Sequence, residues 1–299
     1  MVDINRGTTG VHLPPAVSTD IWQSIQEGSQ VMRMAQQTVL PGPGVSIPII
    51  TGDPEAEWTN ETDEKPVRRG TLDNKEMRGY TIAVIVPFSN QFRRDKPALY
   101  QALVNRLPGA LAKKFDRTVF GYHDAPGSDF DTLANAPEVS IANTASQDSY
   151  DGFLTALSSV AAAGGDLSGW LLSPSGEIIA LGARDGNGRP LFIDNVQTQG
   201  SIGSILQRPV FRSKSVQEPA SETDDEVVGF GGDWSSAFWG QVEGVSVSIS
   251  DQATINDSGT QLNLWQRNMF AVRAEIEVGF IARDVDHFVR LTGAEATGE

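Results

Sequence analysis

Residues 45–89 read VSIPIITGDPEAEWTNETDEKPVRRGTLDNKEMRGYTIAVIVPFS. Val45, Ile47 and Ile49 alternate with smaller or polar residues, and Tyr80, Ile82, Val84, Val86 and Phe88 do so more strongly. A period of two marks a strand with one covered face, so each end of the stretch is expected to be a strand. The middle is different. Asp53 to Glu64 holds six acids and no base, and Lys65 to Arg78 holds five bases and two acids. Two strands flanking so long a charged excursion make an extended β-hairpin. Legs of roughly 20 residues reach up to ~60 Å at ~3.3 Å per residue. A chain of 299 residues folds to a radius of gyration of ~19 Å, so even a half-extended hairpin leaves its own domain. A lone hairpin is marginal in water and needs a surface to lie on; a neighbouring copy is the expected one. A disordered charged loop is the plain alternative. The strands on both sides, and Trp58 within the excursion, count against it.

Upstream, residues 16–38 read as an amphipathic helix, with Ser18 or Thr19 as cap and an imperfect apolar stripe of Ile21, Trp22, Ile25, Val31 and Met34. Pro41-Gly42-Pro43-Gly44 ends it. Downstream, Ser89 and Asp95 are N-cap candidates for a long helix over 96–122, where Leu99, Leu103, Leu107, Leu111 and Phe115 recur every four residues. Pro108-Gly109 should kink or interrupt it. Residues 149–163 form a second helical pattern stopped by Gly164-Gly165, and Trp170-Leu171-Leu172 a short buried strand. Ser173-Pro174 opens a further helix to Gly182, Asp185-Gly186-Asn187-Gly188 is a turn signal, and residues 205–211 are extended around Pro209. Val245, Val247 and Ile249 alternate with serines. The strongest strand follows, with Phe270, Val272, Ala274, Ile276, Val278 and Phe280 on one face and Arg273, Glu275 and Glu277 on the other. Separated helices with antiparallel-type strands indicate α+β.

The chemistry of catalysis is missing from the pattern. There is no cysteine, which excludes disulfides, zinc–thiolate sites and cysteine nucleophiles. His12, His123 and His287 lie far apart, with no second histidine at metal-ligand spacing. Neither a nucleophile elbow nor a phosphate-cradling lysine loop occurs. Residues 229–234, GFGGDW, have Trp234 where a dinucleotide loop needs its third glycine, and are expected to form a tight turn. The acid pairs Asp129/Asp131, Asp224/Asp225 and Asp284/Asp286 are expected to be solvated turns rather than cation sites. No metal, cofactor or catalytic residue is assigned. No apolar run approaches the ~18 residues of a membrane span, and Met1 to Thr9 carry no signal-peptide core. The net charge of −15 argues against a sequence-reading nucleic-acid binder, whose affinity rests on basic side chains. Enclosing nucleic acid is a different task and stays open to an acidic chain.

The order of segments resembles the major capsid proteins of tailed bacteriophages, with the Hong Kong 97 fold. The resemblance rests on the arm ending EGSQV at 27–31, the charged hairpin, AVIVPFS at 83–89 leading into the long helix, ILQRPV at 205–210, the GDW turn at 232–234, and LWQRNMFAVR at 264–273. It implies an N-terminal arm over 1–44, an extended loop over 45–86, and a peripheral domain over 87–145 and 265–299 with a spine helix at 96–122. The axial domain would cover 146–264. It also implies self-assembly into pentamers and hexamers of an icosahedral head around double-stranded DNA, assembled in the host cytoplasm and carried in the virion, with no membrane. An arm starting this close to Met1 implies a separate scaffolding protein, beside a portal and a possible decoration protein. Some relatives cross-link a loop lysine to an asparagine; Lys65 and Lys75 lie in the right segment, but no partner asparagine or activating glutamate can be matched, so no cross-link is expected. The residues expected at subunit interfaces are Ile25, Met34, Trp58, Glu61, Glu64, Arg68 and Arg69. An encapsulin-type compartment shares the fold and is the nearest rival; an acidic hydrolase or carbohydrate-binding module using an acid pair is the rival of another class.

Overall fold

The computed structural model describes residues 28–52, 56–59, 64, 65, 67, 69, 71–143, 148–184, 203–221, 224–257 and 259–293. The elements in chain order are α1 (Gln30–Met34), β1 (Gln36–Val39), β2 (Val45–Gly52), β3 (Thr71–Met77), β4 (Tyr80–Ser89), α2 (Asn90–Asp95), α3 (Pro97–Val104), α4 (Leu107–Val119) and β5 (Glu138–Ser140). Then come α5 (Ser149–Ala162), β6 (Gly169–Leu172), α6 (Pro174–Leu181), β7 (Ser204–Ile205), β8 (Arg208–Arg212) and β9 (Val227–Gly232). The chain closes with β10 (Ala237–Ser250), β11 (Thr254–Asp257), β12 (Thr260–Asn263), β13 (Met269–Ala282) and β14 (Phe288–Thr292).

The strongest alternation in the sequence builds the centre of a four-stranded sheet, ordered β1-β10-β13-β4. Phe270, Val272, Ala274, Ile276, Val278 and Phe280 of β13 are all buried. Register pairs them with the apolar positions of β4: Phe270 opposite Phe88, Val272 opposite Val86, Ile276 opposite Ile82. Over that face lies α4, with Leu111, Phe115 and Val119 buried against it; each such side chain contributes roughly 1.5–3 kcal/mol on leaving water. The expected single helix over 96–122 is two helices, α3 and α4, broken at Asn105-Arg106. Pro108 stands in the first turn of α4, where its missing N–H costs nothing and its ring has no preceding turn to clash with. Ser89 caps α2 by accepting from Gln91 N at 3.2 Å; Asp95 caps nothing. Phe88, Tyr100 and Phe270 form a triangle of rings with centroids 5.2–5.7 Å apart, which seats α3 on the sheet.

The expected helix over 16–38 does not run through. Ser29 accepts from Met32 N at 3.1 Å and opens a new short helix, α1. Gln36–Val39 is the strand β1, laid parallel to β10 with Gln36 opposite Phe238. Ser18, Thr19, Ile21, Trp22 and Ile25 lie outside the described residues.

The second sheet has six strands, β5-β14-β9-β6-β8-β7, with α5 and α6 packed on it much as the sequence indicates. Ser173 caps α6 through Gly176 N at 3.0 Å. Two expectations fail here. Residues 229–232 are not a turn but the last part of β9, buried throughout. Side chains at 229 and 231 would run into Leu172 and the Trp170 ring, so these glycines make room for neighbours. The turn comes one step later, at Trp234–Ser236, where Asp233 accepts from Ser235 N at 3.1 Å. Residues 205–211 are likewise not one extended run: Leu206 and Gln207 at φ 50° and 64° reverse the chain between β7 and β8. The turn expected at 185–188 lies outside the described residues.

Candidate functional site

The hairpin exists, with a different second leg. β2 pairs antiparallel with β3, from Val45 opposite Met77 to Gly52 opposite Thr71. Tyr80–Ser89 belongs to the four-stranded sheet instead. Beyond the ladder the described residues of the excursion, 56–59, 64, 65, 67 and 69, are all exposed.

The root of the hairpin is fixed in three ways. Lys75 Nζ donates to Asp131 Oδ2 and to the Ala282 carbonyl, both at 2.8 Å. The same Asp131 oxygen accepts from Ala282 N at 3.1 Å, so one carboxylate joins the hairpin to the end of β13. Arg78 Nε lies 3.1 Å from Asp129 Oδ2. Between these pairs sits a small apolar cluster of Leu40, Met77 and Ile281, flanked by Val45, Ile47, Phe238 and Val242. It needs a dent in the sheet. Gly240 and Gly279 face each other across β10 and β13, and a Cβ on either would press on Leu40 or Met77. The acids at 129 and 131 are thus ion-paired and about a quarter exposed rather than freely solvated.

A second anchor holds the arm. Asp116 on α4 is completely buried. It accepts from Ser29 Oγ at 2.5 Å and from Gln30 N at 3.1 Å. Burial pushes its carboxyl up to about 7, against the pull of these hydrogen bonds and that of Val31 N–H. The carboxylate thereby satisfies amide groups left open at the start of α1.

Of the expected interface residues, Trp58 is fully exposed, at 105%, and Glu64 and Arg69 are exposed. Met34 is half-buried against its own chain's core, so it faces inward. Ile25, Glu61 and Arg68 lie outside the described residues. The structure adds Lys75, Asp131, Asp116 and the glycine pair. Among the described residues no three metal-ligating side chains converge, and no helix is long and apolar enough to cross a membrane. Asp284 caps the turn at 285–287 through Asp286 N at 3.1 Å, and Asp224 accepts from Ser221 Oγ at 3.2 Å.

The hairpin ladder thus rises from a root clamped to the four-stranded sheet, and its described outer residues are exposed. The model of the "Phage capsid family" matches residues 9–293. The chain belongs to the phage capsid family. Among its relatives in that family, "Probable major capsid protein gp17" of Mycobacterium phage L5 is 34% identical, over 96% of this chain and 90% of the relative. Its counterpart in Mycobacterium phage D29 is 33% identical over 96% and 92%. Solved structures from Gordonia phage Cozz (24% identity, TM-score 0.74, 89% of this chain and 87% of that one) and Mycobacterium phage Adephagia (22%, 0.74, 90% and 91%) share the fold of this capsid-family chain.

Proposed function

We propose that this chain is the major capsid protein of a tailed phage, a structural subunit that assembles with copies of itself into pentamers and hexamers of an icosahedral head around double-stranded DNA. The observation that carries the reading is the hairpin: its ladder leaves the fold from a root clamped by Lys75, Asp131 and the Leu40–Met77–Ile281 cluster, and its described outer residues are exposed. A surface held out so firmly serves a neighbour. The names of the two mycobacteriophage relatives agree with it. In this reading 1–44 is the arm, 45–86 the extended loop with its hairpin closing at Met77, and 87–145 with 265–299 the peripheral domain, whose spine is α3 and α4. Residues 146–264 form the axial domain. A separate scaffolding protein, a portal and a possible decoration protein complete the assembly, which takes place in the host cytoplasm.

Purified protein is expected to sediment as capsomers or as shells tens of nanometres across, and virions are expected to hold nuclease-protected duplex DNA inside a shell of this chain. A stable monomer under all assembly conditions would overturn the reading. Shells filled with a protein cargo and free of DNA would replace it with an encapsulin-type compartment.

A further inference from the structure

The charge of the chain is unevenly spread. Residues 90–119, which hold α2, α3 and α4, carry seven bases and two acids, while the other 269 residues carry 16 bases and 36 acids. The two faces of α4 sort these side chains. Leu107, Leu111, Ala112, Phe115 and Asp116 are buried; Arg106, Gly109, Ala110, Lys113 and Lys114 are exposed on the opposite side, at the three- and four-residue steps that keep one helix face together. Lys96 is exposed at the start of α3. Arg94 pairs with Asp95 at 2.9 Å, Arg117 pairs with Glu218, and Arg93 lies over the Phe270 ring. Among the described residues, Lys96, Arg106, Lys113 and Lys114 make no ion pair. The field reaches His123, whose imidazole is held below its ordinary value by desolvation first and then by Lys114 and Arg117.

The far side of the four-stranded sheet has the opposite sign. Glu243 of β10 stands across from Glu277 of β13, and Ser246 across from Glu275; Arg273 beside them is 3.1 Å from Glu275. A layer with uncompensated cations on one side and carboxylates on the other offers only one side to a polyanion. The basic side also lacks what a protein partner would grip. Interface centres are apolar and rich in aromatic side chains. Between these bases stand Gln101, Asn105, Gly109 and Ala110, and Leu103, at 37%, is the only exposed large apolar side chain described on α3 and α4. The spacing suits a duplex. Arg106 and Lys114 lie ~12 Å apart along the helix axis, and one DNA strand lays down a phosphate every ~3.4 Å, so a single strand can meet all three bases of this face.

We infer that the layer of α2, α3 and α4 is the wall that faces the packaged DNA, with Lys96, Arg106, Lys113 and Lys114 of each copy touching duplex phosphates and reading no base. The inference rests on the shell reading and adds which face of the subunit looks inward. The net charge of −15 keeps one subunit a weak binder, and repetition of the same face around the shell supplies the rest.

Capsomers titrated with a short duplex of mixed sequence, over a series of salt concentrations, test the residues. Lys113→Gln/Lys114→Gln is expected to lower the slope of log affinity against log salt by roughly two for each copy in contact with the duplex, while Arg273→Gln on the acidic face is expected to leave the slope as it is. An unchanged slope for the lysine variant would overturn the inference, as would wild-type capsomers with no affinity for the duplex at low salt. So would a lysine variant that forms no shells yet keeps the wild-type slope, because the face would then belong to a protein partner. The absence of cysteine from the chain allows a second test inside the head. A Cβ at Gly109 would meet no neighbouring atom within 4 Å, so Gly109→Cys sets a thiol between the bases. DNA-filled heads are treated with a thiol-reactive aryl azide and irradiated. Chain linked to DNA is expected from Gly109→Cys and not from Arg273→Cys. The reverse pattern, links from both positions or links from neither would overturn the inference and leave the shell reading standing. A wild-type chain that forms no shells, or shells without DNA, would defeat that reading and this inference with it.

Discussion

Replacing Asp116 by Asn isolates the buried anchor between arm and helix. The carboxyl has no access to solvent, and burial lifts it from the ordinary 3.8 to about 7 although Ser29, Gln30 and Val31 all donate to it. Between these two values the native protein keeps a proton that the unfolded chain has released. The native state therefore binds more protons across that window, and stability falls as pH rises. The contribution is fully present below pH ~4, is lost progressively toward pH ~7, and changes no further above it. A carboxyl so displaced is worth up to ~4 kcal/mol over the window. Asn keeps an acceptor for the Ser29 hydroxyl and cannot ionise. Urea unfolding of unassembled subunits from pH 4 to pH 8, at a concentration low enough to keep assembly out of the equilibrium, gives the difference between wild type and Asp116→Asn. That difference is expected to shift in favour of the Asn variant by a few kcal/mol as pH rises to ~7, and then to level off. Parallel curves for the two proteins throughout would refute the reasoning, because the slope would then belong to other groups.

Other outcomes follow from the same contacts. Lys75→Met removes a half-exposed ion pair, so its global cost should stay near ~1 kcal/mol, while hydrogen exchange in Thr71–Met77 rises relative to β13. Gly279→Val forces Leu40 and Met77 out of their dent and is expected to cost ~1–3 kcal/mol or more in thermal unfolding, with assembly lost as the hairpin root shifts. Reversing Arg68 and Arg69 to Glu, two charges of the basic leg, is expected to lower the yield of shells measured by light scattering more than it changes urea unfolding.

The sheet was the most legible part of the fold, because β4 and the middle of β13 alternate better-buried with more exposed side chains along the strand. β3 was not legible. Thr71–Met77 reads TLDNKEM, and of the side chains described in it only Met77 is buried, so no period of two appears. Backbone pairing with β2 and the Lys75–Asp131 contact hold it instead, and neither leaves a mark on local composition. The arm helix was carried on to residue 38 because Val31 and Met34 extend the apolar stripe, whereas Gln36–Val39 pairs with β10 as a strand. β9 was mistaken for a turn because glycine usually signals one; here it yields space to Trp170 and Leu172. Trp58, Glu64 and Arg69, expected at interfaces from charge and reach, are exposed. Asp116 was not singled out, since an acid on an amphipathic helix reads as a surface residue and its partner Ser29 is 87 positions away.

The clamped root gives the hairpin the mechanics of a cantilever. A tilt of ~10° at the dent between Gly240 and Gly279 swings the far end of a ladder roughly 23 Å long through ~4 Å, about one strand spacing. Curvature in a closed surface is a sum of such angles between adjacent copies. In the proposed shell, two glycines and one lysine–aspartate contact at the hairpin root thus act on how sharply the surface bends.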